Sequence, residues 1–153
     1  MNIKNLELDL SSDFNEKLTK ELLILQNLIN ALNKKEIPPS ISDKINQEIE
    51  KLNSASIYED HLIKKIKSNR GFILKLLEKE LNFVPAHHFR NLWMALGLSA
   101  FGIPIGVAIG IASKNLGLLG LGFAPGILIG LAIGNRKDKT AFKKGLQLDF
   151  EVK

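Results

Sequence analysis

The chain has 153 residues, of which 45% are hydrophobic and 24% charged, with a net charge of +5 and no cysteine. The missing thiols exclude disulfides and thiolate metal sites. The charge is not that of a basic soluble domain: residues 1–91 hold 14 basic against 13 acidic side chains, while residues 92–153 hold 7 against 3. Most of that excess follows the last apolar stretch, so no nucleic-acid partner is expected.

The opening MNIKNLELDL has neither a basic leader nor an apolar run of signal-peptide length, so the first ninety residues are expected to stay in the cytoplasm. Residues 12–35 place Phe14, Leu18, Leu22, Leu25, Ile29 and Leu32 at steps of four and three, which predicts an amphipathic helix with a Ser/Asp start. Ile37-Pro38-Pro39 breaks it. Ser40, with Asp43 three residues on, reads as the cap of a second helix whose Ile41, Ile45, Ile49 and Leu52 share a face. A third stretch runs to about Val84, with Gly71 as a candidate bend. Its last part, GFILKLLEKELNFVP, fits either the third helix of a bundle or a segment lying flat on a membrane. The expectation for residues 1–90 is a small cytoplasmic helical bundle.

Residues 92–112 and 116–134 are two runs of 21 and 19 residues without a charge, separated by Ser113, Lys114 and Asn115. At 1.5 Å per residue they reach about 31 and 28 Å, close to the thickness of a hydrocarbon core. They predict a transmembrane hairpin over residues 91–135. Basic residues lie before the first run and after the second (Arg136, Lys137, Lys139), against Lys114 alone in the turn. By the positive-inside rule both termini face the cytoplasm, with Trp93, Arg90, Arg136, Lys137 and Lys139 as interface anchors.

Residues 102–110, GIPIGVAIG, and 126–134, GILIGLAIG, agree at seven of nine positions. Gly102, Gly106 and Gly110, and Gly122, Gly126, Gly130 and Gly134, recur every fourth residue and share a helix face. Small residues on such faces let backbones approach closely. Folding about residues 113–115 brings Gly102 to Gly126, Gly106 to Gly122, Gly110 near Gly117 and Gly97 near Gly130. The same rows could instead pack between chains, as a homo-oligomer. Pro104 and Pro125, at matching depth, are candidate hinges. The basic stretch after residue 135 opens a tail, residues 136–153, that ends in alternating LQLDFEV; with the N-terminal LELDL it could form a short strand pair.

Chemistry is sparse. His61, His87 and His88 are the only histidines, and the adjacent pair points in different directions on a helix. There is no zinc motif, nucleophile elbow or phosphate loop, so neither an enzyme nor a cofactor is expected.

The stretch from Gly97 to Glu151, with paired glycine-rich spans, Asp138-Lys139 and a Gly-x-Gln-Leu-Asp ending at Gly145–Asp149, resembles the glycine-zipper two-span module of small bacterial membrane proteins. The resemblance covers about a third of the chain. It implies an address in the bacterial cell membrane and an architecture rather than an activity. The expected fold is thus all-α, a helical bundle followed by a transmembrane hairpin. Two functions fit: a membrane-anchored and oligomerising interaction protein with a cytoplasmic protein partner, or a pore-forming effector gated by the bundle.

Overall fold

Apolar side chains at helical spacing, broken by prolines and by residues that accept left-handed backbone, give a chain that is helical nearly throughout. A computed structural model describes residues 3–7, 15–54 and 59–151. It divides into two units, Met1–Pro85 with Leu148–Lys153, and Ala86–Gln147.

The first unit holds α1 (Glu16–Asn33), α2 (Pro39–Asn53) and α3 (Glu59–Leu81). α1 begins at Asn15, whose side chain accepts the Lys17 N–H at 3.2 Å. The Ser12/Asp13 start and Phe14 lie outside the described residues. α1 buries a wider stripe than its four-three spacing suggested, because Ile24, Leu28 and Ala31 join Leu18, Leu22, Leu25, Ile29 and Leu32. The start of α2 differs from the expected Ser40–Asp43 cap. Pro38 is the N-cap and Pro39 the first helical residue, with no side-chain cap. Proline suits that position because its φ is preset and its missing N–H would have had no partner there.

α3 runs unbroken through Gly71 and packs against both α1 and α2. Ile73 and Leu77 are fully buried among the core residues of the other two helices. Of the two alternatives for this stretch, the bundle is the one found. The helix stops at Leu81, short of Val84, since Asn82 takes left-handed backbone (φ 55°) and turns the chain.

The described residues near both ends of the chain add side chains to this core; Leu8, Asp9 and Leu10 of the expected strand LELDL, and Val152 of LQLDFEV, lie outside the described residues. Ile3 is 3% exposed, and Leu148 and Phe150 are buried in the same cluster. Leu148 N–H donates to the Val84 carbonyl at 2.9 Å. Residues 3–7 are neither helix nor strand; their main chain pairs with side chains of α1 and α2, and because Lys4 and Glu7 reach asparagines seven residues apart on α2, a span of about 10 Å, the segment between them is extended. Among the described residues no strand forms.

The second unit contains α4 (His88–Gly97), a π-helical turn (Leu98–Gly102) and α5 (Ile103–Ala112), together one apolar helix of 25 residues. A tight turn leads to a second of 28 residues, made of a 3-10 segment (Leu116–Gly122) and α6 (Phe123–Lys143). At the turn, Lys114 adopts φ 52° and the Asn115 N–H reaches back to Gly110 O at 2.9 Å, while the Asn115 side chain accepts the Gly117 N–H at 3.0 Å. One short segment therefore ends one helix and caps the next. α6 does not stop where the charge begins. Residues 136–143, set apart as tail by composition, continue it, and Gly145 (φ 69°) closes it through a Leu146 N–H bond to Ala141 O at 3.0 Å.

Two ion pairs to one carboxylate tie α1 to α3. Arg70 donates to Glu21 at 2.6 Å with both side chains largely buried, and Lys67 lies 3.4 Å from the same carboxylate. Burial pushes Glu21 up, but the hydrogen bond and charge of Arg70, then those of Lys67, outweigh it and hold the group below its ordinary value. With the folded pKa below the unfolded one of about 4.3, the pair's stabilisation is complete above that pH and fades as pH falls through the folded value. Arg70→Ala is expected to cost about 2–3 kcal/mol at neutral pH. Hydrogen exchange of α1 and α3 amides in the full chain checks both points. The gap between the wild type and Glu21→Gln should shrink below about pH 4. A gap that is constant down to about pH 2 would exclude the ion pair as its cause.

Candidate functional site

The distinctive feature of the second unit is the seam between its two long helices, which is made mostly of backbone. A methyl carbon placed on Gly126 would lie 2.5 Å from Gly102 Cα, on Gly97 2.8 Å from Gly130 Cα, and on Gly134 2.6 Å from Arg90 Cα. Gly106 faces the Leu119 carbonyl, Gly122 faces Gly106 and Gly102, and Gly130 faces the Trp93 carbonyl. No side chain fits at these positions without moving a main chain. Gly110 is looser, beside Leu116 at 3.4 Å.

Register explains how the rows stay aligned. Gly102, Gly106 and Gly110 are four apart, but Gly97 precedes Gly102 by five. The π-helical turn between them, with the Ile103 N–H bonded to Leu98 O, absorbs the extra residue and returns Gly97 to the seam. Pro104 follows at once, in the first turn of α5. On the opposite helix the 3-10 segment repeats every three residues, so Leu116, Leu119 and Gly122 share the face that Gly126, Gly130 and Gly134 continue. Pro125 sits in the first turn of α6. Each proline thus lies directly after a change of helix type.

Gly117 departs from the expected pairing with Gly110. Its Cβ position meets only its own neighbour Asn115, because the tighter 3-10 winding turns Leu116 toward Gly110 instead. Gly120 has nothing within 4 Å.

At the end of the seam away from the turn the contact becomes polar. Asp138, 7% exposed, accepts the Phe89 N–H at 3.0 Å and the Arg90 N–H at 2.9 Å. A carboxylate thereby satisfies two of the donors that a helix N-terminus leaves without intrahelical partners, and favours its positive dipole end. Lys137, next in sequence, places its ammonium 5.8 Å from the Phe89 ring centre and 5.2 Å from that of Trp93. Of the expected anchors, Trp93 and Lys137 are therefore brought together, while Arg90, Arg136 and Lys139 are exposed. His87 has left-handed backbone (φ 60°) just before α4, and His88 packs edge-on against Phe89.

Asp138 is the residue that the sequence reading did not single out as a packing residue. The signal was present: Gly122, Gly126, Gly130 and Gly134 step by four, and the next step is Asp138, the only acid among residues 92–148.

The outside of the hairpin carries the side chains. Leu92, Leu96, Phe101, Ile103, Leu121 and Phe123 are exposed, and Ile111 and Leu128 are about two-thirds exposed, at 67% and 65%. The helices bury only 22% and 17% of their most apolar windows. In comparisons with protein-family models, with characterised proteins and with solved structures, nothing matches the chain.

Two substitutions separate seam from surface. Gly130→Leu should force the helices apart at a cost of about 1–3 kcal/mol or more, whereas Gly120→Leu should be nearly neutral. Spin labels at Arg90→Cys and Arg136→Cys, in a chain that is otherwise free of cysteine, measure the separation. It should lengthen only in the first variant, and equal behaviour would exclude the close seam. Asp138→Ala should cost about 1–2 kcal/mol and speed hydrogen exchange at the Phe89 and Arg90 amides.

Proposed function

We propose that the hairpin spans a lipid bilayer and anchors the first unit at its surface, as a membrane-bound, non-enzymatic interaction protein. The observation that carries this reading is the inside-out distribution of side chains. Glycines fill the contact, and leucine, isoleucine and phenylalanine point away from it. In water such a hairpin would leave a large apolar surface wet and gain little from burial, since the seam has few side chains to bury. In hydrocarbon the balance reverses. The outward side chains are solvated by lipid, and close backbone packing supplies the van der Waals contact that holds the helices together.

The charge distribution supports the orientation. Arg90, Arg136, Lys137, Lys139, Lys143 and Lys144 flank the termini of the hairpin, and Lys114 alone marks the turn. The reading therefore puts both chain termini and the helical bundle in the cytoplasm, with the turn across the membrane. With the resemblance to bacterial two-span modules, the reading puts the protein in a bacterial cell membrane.

The anchor is favoured over the pore by the chemistry of the two runs. Their one side-chain hydroxyl, Ser99, donates to carbonyls of its own helix, Ala95 O and Leu96 O, both at 3.2 Å. Assembly through the glycine faces would require opening a seam already filled within one chain. The hairpin in this reading is complete as a single copy, and any clustering uses its lipid-facing side chains.

Membranes bearing the protein, washed with alkaline carbonate, should retain it. A protein that leaves the membrane and stays monodisperse in detergent-free buffer would exclude the anchor. Single cysteines at Lys114→Cys and Glu151→Cys, probed with a membrane-impermeant maleimide in intact cells, should label only at the turn. Labelling of Glu151→Cys would reverse the orientation.

A further inference from the structure

The first unit treats its own N-terminal segment as a ligand. Residues 3–7 are extended, yet among the described residues no strand lies beside them; their main chain is held by three asparagine side chains. Asn33 is the last residue of α1, and Asn46 and Asn53 are seven apart on α2, two turns along one face. Asn33 accepts the Ile3 N–H at 2.9 Å and donates to the Ile3 carbonyl at 3.4 Å. Asn46 accepts the Lys4 N–H at 2.8 Å. Asn53 accepts the Glu7 N–H at 3.2 Å and donates to the Asn5 carbonyl at 3.4 Å. A side-chain amide offers the same donor and acceptor as a peptide group, so this row of amides stands in for the edge of a sheet.

Main-chain bonds of this kind hold any extended peptide, and side-chain pockets then select which one. Here the selective contacts are distinct. Ile3 is sunk into the core, Leu6 packs partly against it, and the Lys4 ammonium pairs with Glu50. Asn5 and Glu7 are exposed. The preference is therefore apolar, basic, any residue, apolar.

We propose that this face of α1 and α2 is a peptide-recognition groove, latched in cis by residues 3–7 and able to accept in trans an extended partner segment of the same apolar–basic–x–apolar order. The proposal deepens, and rests on, the reading of the first unit as an interaction module, for it names the chemistry of the partner. Seven residues join Glu7 to Asn15, and so short a tether keeps the cis segment at an effective concentration on the order of millimolar. A partner thus competes with the latch, and the intact chain is held in its low-affinity state.

The test uses a fluorescent peptide, MNIKNLEL, and two forms of the detergent-solubilised protein: the full chain and the chain lacking residues 1–7. The shortened chain should bind the peptide saturably and at least about tenfold more tightly than the full chain, as an emptied latch requires. Asn46→Ala in the protein should weaken binding about 3–10-fold through the lost main-chain bond. Ile3→Asp in the peptide should abolish it. Where the shortened chain loses its helical circular dichroism, the decision passes to the full chain carrying Lys4→Cys and Glu50→Cys. With oxidised glutathione added as the oxidant, free peptide should then slow formation of the intrachain disulfide in proportion to its concentration.

An unchanged disulfide rate at millimolar peptide would overturn the proposal. So would equal binding of the wild-type and Ile3→Asp peptides to a folded shortened chain. An interchain disulfide as the main product would overturn it in favour of a second copy as the occupant. A protein partner retained through another face, with no effect of the peptide, would remove the groove and leave the interaction module standing. The anchor itself is decided separately, by extraction and labelling.

Discussion

Two backbones can approach closely only where no side chain stands between them, and the second unit is organised around that condition. Apart from Gly117 and Gly120, the glycines of the hairpin fall on one face of each long helix, so that Gly97, Gly102 and Gly106 meet the chain at Gly126, Gly122 and Leu119. A close seam has two consequences. It leaves the bulky apolar residues no inward direction, and so they line the outside. It also requires the glycine rows, Gly97 to Gly110 and Gly122 to Gly134, to stay in register over about four turns, which a uniform α-helix with this spacing would not achieve. The π-helical turn and the 3-10 segment make the adjustment, one by loosening the winding and the other by tightening it.

The seam ends on charge. Where the glycine row reaches its last step, Asp138 substitutes a carboxylate for close packing and binds the N–H groups of Phe89 and Arg90. Lys137 beside it lies over Phe89 and Trp93. Under the anchor reading this is the level at which the hairpin leaves hydrocarbon for headgroups, where an aromatic ring and a long basic side chain are both suited to the boundary. The same residues that fix the helix end are then those that fix its depth.

The first unit works by a different rule. Its core is conventional, with leucine and isoleucine at helical spacing, but several of its connections are made by polar side chains to main chain. Asn69 donates to Glu48 O at 2.9 Å, and Lys65 donates to Lys51 O at 3.0 Å in the last turns of α2. The asparagines that hold residues 3–7 extend this pattern to a whole segment. An extended peptide can enter a helical core only if its N–H and C=O groups find partners, and without a sheet these must come from side chains.

Much of this could be read from the order of residues. The helical periods of α1 and α2, the break at Pro38-Pro39, the two uncharged runs and the turn at 113–115 are all local properties, since each depends on spacing of a few residues or on length against a fixed rise. The glycine rows, too, announced that close packing occurs. What local spacing left open was the packing partner: rows that served equally well within or between chains are seen to meet inside one. The five-residue step from Gly97 to Gly102 keeps register only through the π-helical turn, and Gly117, expected as a partner for Gly110, is turned away by the 3-10 winding. Asp138 stood at the next step of the row but was read as part of a charged tail, because charge suggests solvent unless a helix N-terminus is known to lie opposite. The same holds for Asn33, Asn46 and Asn53. Their sequence marks them as ordinary polar positions of helices, and only the tertiary structure, which brings α1 and α2 to the same extended segment, turns three separate amides into one binding face. Local spacing thus determined which helices form and which of their faces are apolar or bare, whereas the pairing of faces depended on contacts between distant residues, for which neither period nor composition carries a signal.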